Sequence, residues 1–348
     1  MTWLPLLLTD PSPCLRWLVL RDLFHRPADD PELLELAALR ETDARAVEVL
    51  ALQQADGSWP AGVLALGRAG SSRTLMTAFA LARLGYLGFD RKHPAVQRGA
   101  EFLFSRQLAD GSWPLSEELA LTDGSSEMPA RERYSMIPLQ TSLPLRGLAA
   151  CGYATDARAE LAYEWLLAQR LPDGAWPTGE AAGVHGYVAG YRRLAHSRWG
   201  CRSNTTGALI CLSLHPQRCT DKPARRALDH LLGRETREAF AIGTEVARLA
   251  GAEKPQGFIT YFARFDLALV LDLCARTGIS KEDARLADLL EFIKGLEGEF
   301  GLWEYREQPQ ISRWLTFDLL RSISQLEAVL GWIGEEPRTP FRPYPKRD

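Results

Sequence analysis

Apolar residues recur at helical spacing along most of the chain, and hardly any stretch shows the period-two alternation of a strand. A glycine follows several apolar runs, as at Gly85, Gly152 and Gly278, which is a common end of a helix. The pattern predicts a first set of nearly continuously apolar helices at 13–25, 72–86, 137–151, 203–214, 258–277 and 311–331. It predicts a second set with one charged face at 43–54, 93–107, 156–170, 221–233 and 281–296.

The two sets of helices indicate the fold class. A helix that is apolar all round is buried on both sides, whereas a one-sided helix covers a core. Six helices ringed by five predict an all-α fold, an α/α toroid of about five to six helix pairs around a central cavity, with a cryptic unit near 234–250 filling the gap. We expect one domain over 1–334 and a proline- and charge-rich tail over 335–348, either strapped over the body or disordered.

A recurring polar turn separates the helix pairs. It reads "QQADGSWPAG" at Trp59, "RQLADGSWPL" at Trp113 and "QRLPDGAWPTG" at Trp176, with a weaker copy, "EGEFGLWEY", at Trp303. Glycine permits the backbone reversal, the Asp side chain can accept backbone N–H groups, and the Gln can bond across to the turn. The Trp offers a flat surface for the neighbouring pair. We interpret the motif as a structural staple between units.

Over about residues 43–305, these turns resemble the QW repeats of the prenyltransferase and squalene-cyclase superfamily. The resemblance implies an α/α toroid around a central apolar cavity and an isoprenoid ligand. Members that begin by protonating an alkene share an Asp-x-Asp-Asp segment, which is missing here, since "PADD" at 27–30 is better explained as charge that leads into a helix.

The zinc site of the protein prenyltransferases is not matched either. Those enzymes bind zinc through an Asp-x-Cys pair and a downstream histidine. Asp272-Leu273-Cys274 provides the pair, but the last histidine of the chain, His230, precedes it. We therefore expect no metal and no cofactor, and we expect Asp272 and Cys274 to lie inside a helix.

Two aspartates are the candidate catalytic residues. Counting back from the glycines after the first-set helices gives Arg73, Gln140, Asp266 and Asp318, which we expect to face a common mouth. Desolvation raises the pKa of a carboxyl group in an aromatic cavity, so Asp266 and Asp318 are candidate proton donors. Aromatic faces would stabilise a carbocation. The candidate substrate-binding residues are Arg73, Gln140, Trp199, Tyr261, Phe262, Phe265, Trp314 and Phe317.

A structural role for the same aspartates stays open. They could cap helix ends or pair with Arg73, Arg264, Arg313 or Arg321. The loop over 179–203, rich in glycine, aromatics and histidine, is a candidate cover for the cavity mouth. A metal cluster of His196, Cys201 and His215 matches no compact zinc spacing.

Charge, cysteine content and the first apolar run indicate which partners and which location to expect. The net charge is −3 and basic residues are interspersed with acidic ones, so nucleic acid is not an expected partner. The six cysteines form no Cys-x-x-Cys pair, which favours free thiols. The first apolar run lacks a basic leader and is interrupted by Pro and Asp, so we expect no signal peptide, no membrane span and a cytoplasmic location. Peripheral membrane contact and the oligomeric state stay open.

Three hypotheses of function follow. The first is an isoprenoid-binding toroid that acts as a terpenoid cyclase through acid-initiated cyclisation. The second is a non-catalytic binding or scaffold toroid, favoured by the missing Asp-x-Asp-Asp and zinc motifs. The third is a carbohydrate-active α/α barrel that uses Asp266 and Asp318 as paired carboxylates.

Overall fold

The computed structural model describes residues 3–115, 134–235, 237, 238, 240–328 and 331–341. Its α-helices are α1 Trp3–Leu8, α2 Pro13–Asp22, α3 Pro31–Leu39, α4 Ala44–Leu50, α5 Gly67–Gly70, α6 Arg73–Tyr86, α7 Pro94–Ser105, α8 Leu139–Leu148, α9 Ala157–Ala168, α10 Arg202–Ser213, α11 Lys222–Leu232, α12 Thr244–Leu249, α13 Leu267–Thr277, α14 Ala284–Gly295 and α15 Ser312–Glu327. The part of the predicted tail over 342–348 lies outside the described residues.

Short strands complete the described elements. Strands β1 Glu180–Ala181 and β2 Val184–His185 pair antiparallel within the long loop. Strands β3 Phe240–Ala241 and β4 Phe265–Asp266 pair in parallel, so they tie the segment before α12 to the start of α13.

Two concentric layers of helices form an α/α toroid, as the sequence predicts. Within the described residues, the inner ring runs α2, α6, α8, α10, α13 and α15. From α6 to α15 each helix packs on the next, and α15 packs on α2. Gly88 closes the ring, because its backbone lies in the left-handed region (φ 89°) and a Cβ there would clash with the indole of Trp17 on α2. Helices α4, α7, α9, α11 and α14 form the outer layer.

Four of the five outer helices, all but α11, begin at side-chain caps. In three of them the same three letters, Asp-Ala-Arg, mark the start, and the aspartate accepts the N–H of the arginine at 2.9–3.0 Å. An N-cap aspartate satisfies amides that have no partner inside the helix. The three caps are Asp43, Asp156 and Asp283.

Four Trp turns fasten the outer helices α4, α7, α9 and α14 to the next inner helix. The indole Nε1 donates to a carbonyl ten residues earlier, and the Trp backbone N–H donates to a threonine hydroxyl of the next inner helix. The pairs are Trp59 with Thr77, Trp113 with Thr141, Trp176 with Thr205 and Trp303 with Thr316. Gln107 Nε2 donates to the carbonyl groups of Gly111 in the turn and Arg158 in the next outer helix. The staple interpretation is confirmed.

Two predicted elements differ from the observed ones. The helix expected over 258–277 begins only at Leu267, because Asp266 caps α13 and residues 258–264 form turns before β4. The unit near 234–250 contains α12, which packs against α6, α13 and α15. It therefore lies inside the ring instead of extending its wall. Among the described residues, we find no helix that combines the length and the apolar character needed to cross a membrane.

Candidate functional site

Helix α12 divides the lumen of the toroid into two cavities. Thr244 and Arg248 face a cleft of about 1340 Å³, whereas Glu245, Val246 and Leu249 face a cavity of about 370 Å³. Arg202, the first residue of α10, lines the larger cavity, and Ser213, the last, lines the smaller. We call the larger one the N-terminal cleft, because it lies at the N-terminal end of inner helix α10. We call the smaller one the central chamber.

The wall of the central chamber combines apolar and charged side chains, which departs from the apolar cavity expected from the sequence. Its apolar part includes Trp17, Leu18, Phe89, Ile210, Val246, Leu249, Leu269 and Leu273. Its charged part is Arg21, Arg40, Asp90, Arg146, Glu245, Asp272, Arg276, Asp318 and Arg321. Most of these charges come from the inward faces of the inner helices, where they pair with one another.

Asp318 lies at the centre of a cluster on this wall. Tyr86 of α6 donates its hydroxyl to Asp318 Oδ2 at 3.1 Å. Arg321, one turn further along α15, has Nη2 2.8 Å from Asp318 Oδ1, although this oxygen receives no hydrogen bond of good geometry. The same Nη2 is 3.2 Å from Asp272 Oδ1 on α13, and Arg276 binds the other oxygen of Asp272 at 2.7 Å.

The surroundings shift the pKa values of Asp318 and Asp272 in opposite directions. Burial raises the pKa of Asp318 to about 6, with a further contribution from Asp272 and an opposing one from Arg321. Burial would also raise the pKa of Asp272, but Arg276 and Arg321 outweigh it and lower that pKa. Neighbouring groups whose pKa values are separated by their surroundings are the usual arrangement of an acid and its charged partner.

A second ion-pair cluster joins α12 to α8. Glu245 accepts from Arg146 at 2.5 Å and from Arg248 at 3.2 Å, and all three side chains are largely buried. Burial acts to raise the pKa of Glu245, but the two arginines lower it below its ordinary range. Arg146 also lies over the ring of Phe262, and Arg248 lies over Tyr261. The cluster holds α12 in the lumen.

Asp266 caps two helices at once. Its carboxylate accepts the N–H of Ala268 in α13 and the N–H groups of Gly243 and Glu245 at the start of α12. Burial raises its pKa, and the three amide donors oppose that rise. Asp266 lines neither cavity, so the structure does not bring it together with Asp318 in one site.

Arg73 and Asp318, two of the four polar residues predicted to share one level, lie at different heights. Taking the stapled threonines as the reference, Arg73 precedes Thr77 by four residues and Asp318 follows Thr316 by two. At 1.5 Å per residue, this separates the two heights by about 9 Å. Arg73 binds the Asp56 carboxylate of the first Trp turn. Gln140 binds the carbonyl of Trp113 at 2.6 Å.

The predicted aromatic wall is dispersed over the ring. Phe265 lines the N-terminal cleft. Tyr261 stacks on Phe79 at 5.3 Å and meets Phe262 edge to face. Trp314 and Phe317 are fully buried, and Trp314 lies 5.5 Å from the Tyr86 ring.

The remaining candidates, in the loop over 179–203 and after α10, lie apart from one another. Trp199 is 37 % exposed and lies near His185. His196 contacts Thr339, and His215 binds Glu160 at 2.8 Å, so these histidines do not meet. The described residues contain no group of three or more His, Cys, Asp or Glu side chains arranged to hold a metal ion.

Sequence reasoning missed several residues of the chamber. The sequence pattern gives Tyr86 no role, and it predicts Asp272 only as a helix-interior residue, which it is. The spacing of Asp272 with Arg276 and of Asp318 with Arg321, four and three residues apart, is the local signal for paired charges on one helix face. That these faces meet is visible only in the folded ring.

Comparisons with known proteins show which proteins this chain is similar to. Residues 33–191 match the family model of the squalene-hopene cyclase C-terminal domain. Human lanosterol synthase is 30% identical over 158 residues, which cover 42% of this chain and 19% of that protein. The lanosterol synthase of Candida albicans is 28% identical over 167 residues, covering 46% and 20%. The chain thus spans about a fifth of the length of these relatives.

A bacterial relative and a solved structure extend the comparison. The squalene–hopene cyclase of Zymomonas mobilis is 29% identical over 124 residues, covering 36% of this chain and 17% of that protein. The type II terpene cyclase MstE from Scytonema aligns over 82% of this chain and 96% of its own, with a TM-score of 0.35 and 15% identity.

Proposed function

We propose that this chain, which is similar to squalene-hopene cyclase and lanosterol synthases, binds an isoprenoid in the central chamber and cyclises it by acid catalysis. The observation that carries the proposal is the position of Asp318, a buried carboxyl group on the wall of a ligand-sized cavity with a pKa raised by burial to about 6. Of the two aspartates predicted from the sequence, Asp318 is the proposed proton donor, and Asp266 positions α12.

The proposed reaction begins with proton transfer. The Asp318 carboxyl gives its proton to a terminal alkene carbon, and the electron pair of the next alkene attacks the resulting tertiary cation. A proton then leaves to water, and the carboxylate is reprotonated from solvent. Arg321 and the Tyr86 hydroxyl, both in contact with Asp318, stabilise the carboxylate that proton transfer creates.

Aromatic rings offer a partial shelter for the cation. Trp17, Tyr86 and Phe89 line the chamber, and Trp314 packs against the Tyr86 ring. Arg40 lies over the rings of Trp17 and Phe89, and Arg21 also lies over Trp17, so part of these faces already binds a cation. Cation–π attraction from such faces is worth about 2 kcal/mol or more where water is excluded. The chamber volume of about 370 Å³ lies at the small end of the roughly 300–1,000 Å³ usual for ligand sites, so we expect a short isoprenoid.

A second candidate function is a toroid that binds an isoprenoid without chemistry. The chamber wall favours it, because its five arginines outnumber its four carboxylates and like charges oppose a carbocation. A ligand with a polar head would suit such a wall. This candidate predicts saturable binding without product.

The test combines binding and turnover. Purified protein is titrated with farnesol by calorimetry and then incubated with geranyl and farnesyl derivatives and squalene, followed by gas chromatography–mass spectrometry. We expect binding in both Asp318→Asn and wild type, with cyclised product from wild type alone. Asp266→Asn is the matched control and should retain product wherever it is folded. Binding without product in wild type supports the second candidate, and no binding contradicts both.

A further inference from the structure

The N-terminal cleft lies on the opposite face of α12 from the chamber and plays no part in the proposed reaction. Six basic side chains line it, Arg202, Arg234, Arg248, Lys254, Arg264 and Arg306. Four acidic side chains also line it, Glu253, Glu299, Glu304 and Glu307. A cleft of this composition has room and positive charge for a polar ligand.

Arg202 differs from the other arginines of the cleft. Its side chain is only 7 % exposed, and within the described part of the chain it makes no hydrogen bond and no ion pair. Its Nε is fully buried without an acceptor. Its guanidinium lies over the face of Phe265, 5.2 Å from the ring centroid, and Phe265 also lines the cleft. The terminal nitrogens therefore have donors available to the cleft.

Burying a guanidinium without an acceptor is costly, since water is removed and nothing replaces it. A second cation, Arg234, further destabilises the charged form of Arg202 by electrostatic repulsion. The Arg234 Nη1 itself donates to the Arg193 carbonyl at 3.4 Å. Burial, and then Arg234, lowers the pKa of Arg202 to about 10. Arg202 thus stays charged near neutral pH in a place that destabilises the charge.

The backbone at the same position adds to the positive potential. Arg202 is the first residue of α10, a helix of 12 residues that begins at Cys201 without a side-chain cap. The amides at a helix start lack intrahelical acceptors and favour an anion. By contrast, α13, which also begins beside this cleft, has Asp266 as its cap.

We propose that the N-terminal cleft binds the oxyanion group of a small molecule, a phosphate or a carboxylate, through Arg202 with Arg234 beside it. A guanidinium donates two parallel N–H groups to the two oxygens of either group, which suits both chemistries. The site does not depend on the reaction proposed for the central chamber. It gives a reason for keeping an unpaired buried arginine at the head of an inner helix.

The test is calorimetric titration of the full chain with sodium phosphate, sodium pyrophosphate and sodium benzoate at matched ionic strength. We expect saturable one-site binding of at least one probe and a loss of tenfold or more in affinity in Arg202→Met. Arg202→Lys should retain part of it, because a lysine keeps the charge but not the paired donors. Stronger binding of the phosphates or of benzoate identifies the source of the oxyanion.

Two comparisons distinguish specific anion binding at Arg202 from general attraction to the positive charge of the cleft. Arg264→Gln removes an exposed charge from the same cleft and should change the affinity less than twofold. Without anion, Arg202→Met should raise the urea midpoint, because an unpaired buried charge is removed, whereas a structural arginine would lower it. Heats of dilution alone with all three probes, or equal losses in Arg202→Met and Arg264→Gln, would overturn the proposal. If Arg202→Met does not fold, Arg202→Lys and Arg234→Met decide on affinity.

Discussion

The hydroxyl of Tyr86 on α6 donates a 3.1 Å hydrogen bond to Asp318 on α15, joining two inner helices across the wall of the central chamber. This bond stabilises the charged form of Asp318 and therefore lowers its pKa, against the larger effect of burial. The phenol thus lowers the pH at which the proposed acid gives up its proton.

Replacing Tyr86 with Phe tests that relationship. Because the donor is lost, we expect the pKa of Asp318 to rise, so the pH at which product formation falls by half should move upward from its wild-type value. The measurement is initial rate of product formation against pH for wild type and Tyr86→Phe. Tyr153→Phe, which alters a tyrosine packed on Phe104 outside the chamber, should leave the profile unmoved. A downward shift in Tyr86→Phe would contradict the assignment.

Asp318 should also make folding stability depend on pH. Its folded-state pKa of about 6 lies above the ordinary value of 3.8, so folding favours the protonated carboxyl. The stability from this group is complete below pH 3.8 and is lost as the pH rises through about 6. Urea unfolding of wild type and Asp318→Asn across this range measures it. The stability of wild type relative to the variant should fall between the two values, and a constant difference would refute the raised pKa.

Replacing Asp266 should lower the stability of the fold, because this residue caps two helices and lines neither cavity. In Asp266→Asn one oxygen becomes an amide that cannot accept the N–H groups now bound to both carboxylate oxygens, at Gly243 and Glu245. We expect a loss of about 2 kcal/mol in the free energy of unfolding. Asp30→Asn is the control, since Asn caps a helix as well as Asp and Asp30 caps α3 alone. Equal effects in both variants would mean that the double cap contributes nothing.

The Trp staples should dominate the stability of the ring. Trp113 is fully buried and its indole N–H donates to the Leu103 carbonyl at 2.8 Å. In Trp113→Phe that carbonyl loses its donor and a cavity opens, so we expect a loss of about 3 kcal/mol. Trp199→Phe, in an exposed loop position, should change stability by less than about 0.5 kcal/mol. Chemical denaturation of both variants compares them, and similar losses would argue against the staples.

Much of the toroid was predictable because its signals are local. The apolar runs, the glycines and the repeated turn fixed both helix sets, and inner helices such as α6 and α10 begin within a residue of their predicted starts. The bond from Gln107 to the Gly111 carbonyl of its own turn was predictable too, whereas its bond to the Arg158 carbonyl in the next outer helix was not. The predictable features depend on neighbours within a few residues.

The site was less predictable because it depends on how each inner helix is rotated about its axis and on the height of each residue in the ring. The level of Asp266 was inferred from a helix that in fact starts after it, and the distance back to a terminal glycine does not measure height in the ring. The six residues of α12 are too few to show a helical period, so its place in the lumen had no sequence signal. Asp272 and Asp318 meet at Arg321 because α13 and α15 turn their charged faces toward each other.

The measurement that tests the central claim most directly is mass spectrometry of product formed in D₂O. If Asp318 starts the reaction, its carboxyl exchanges with solvent and delivers one deuteron to the first alkene carbon. We predict a cyclised product one mass unit heavier than that formed in H₂O, and no such product from Asp318→Asn. A cyclised product without deuterium, or one that Asp318→Asn forms at the wild-type rate, would contradict the account.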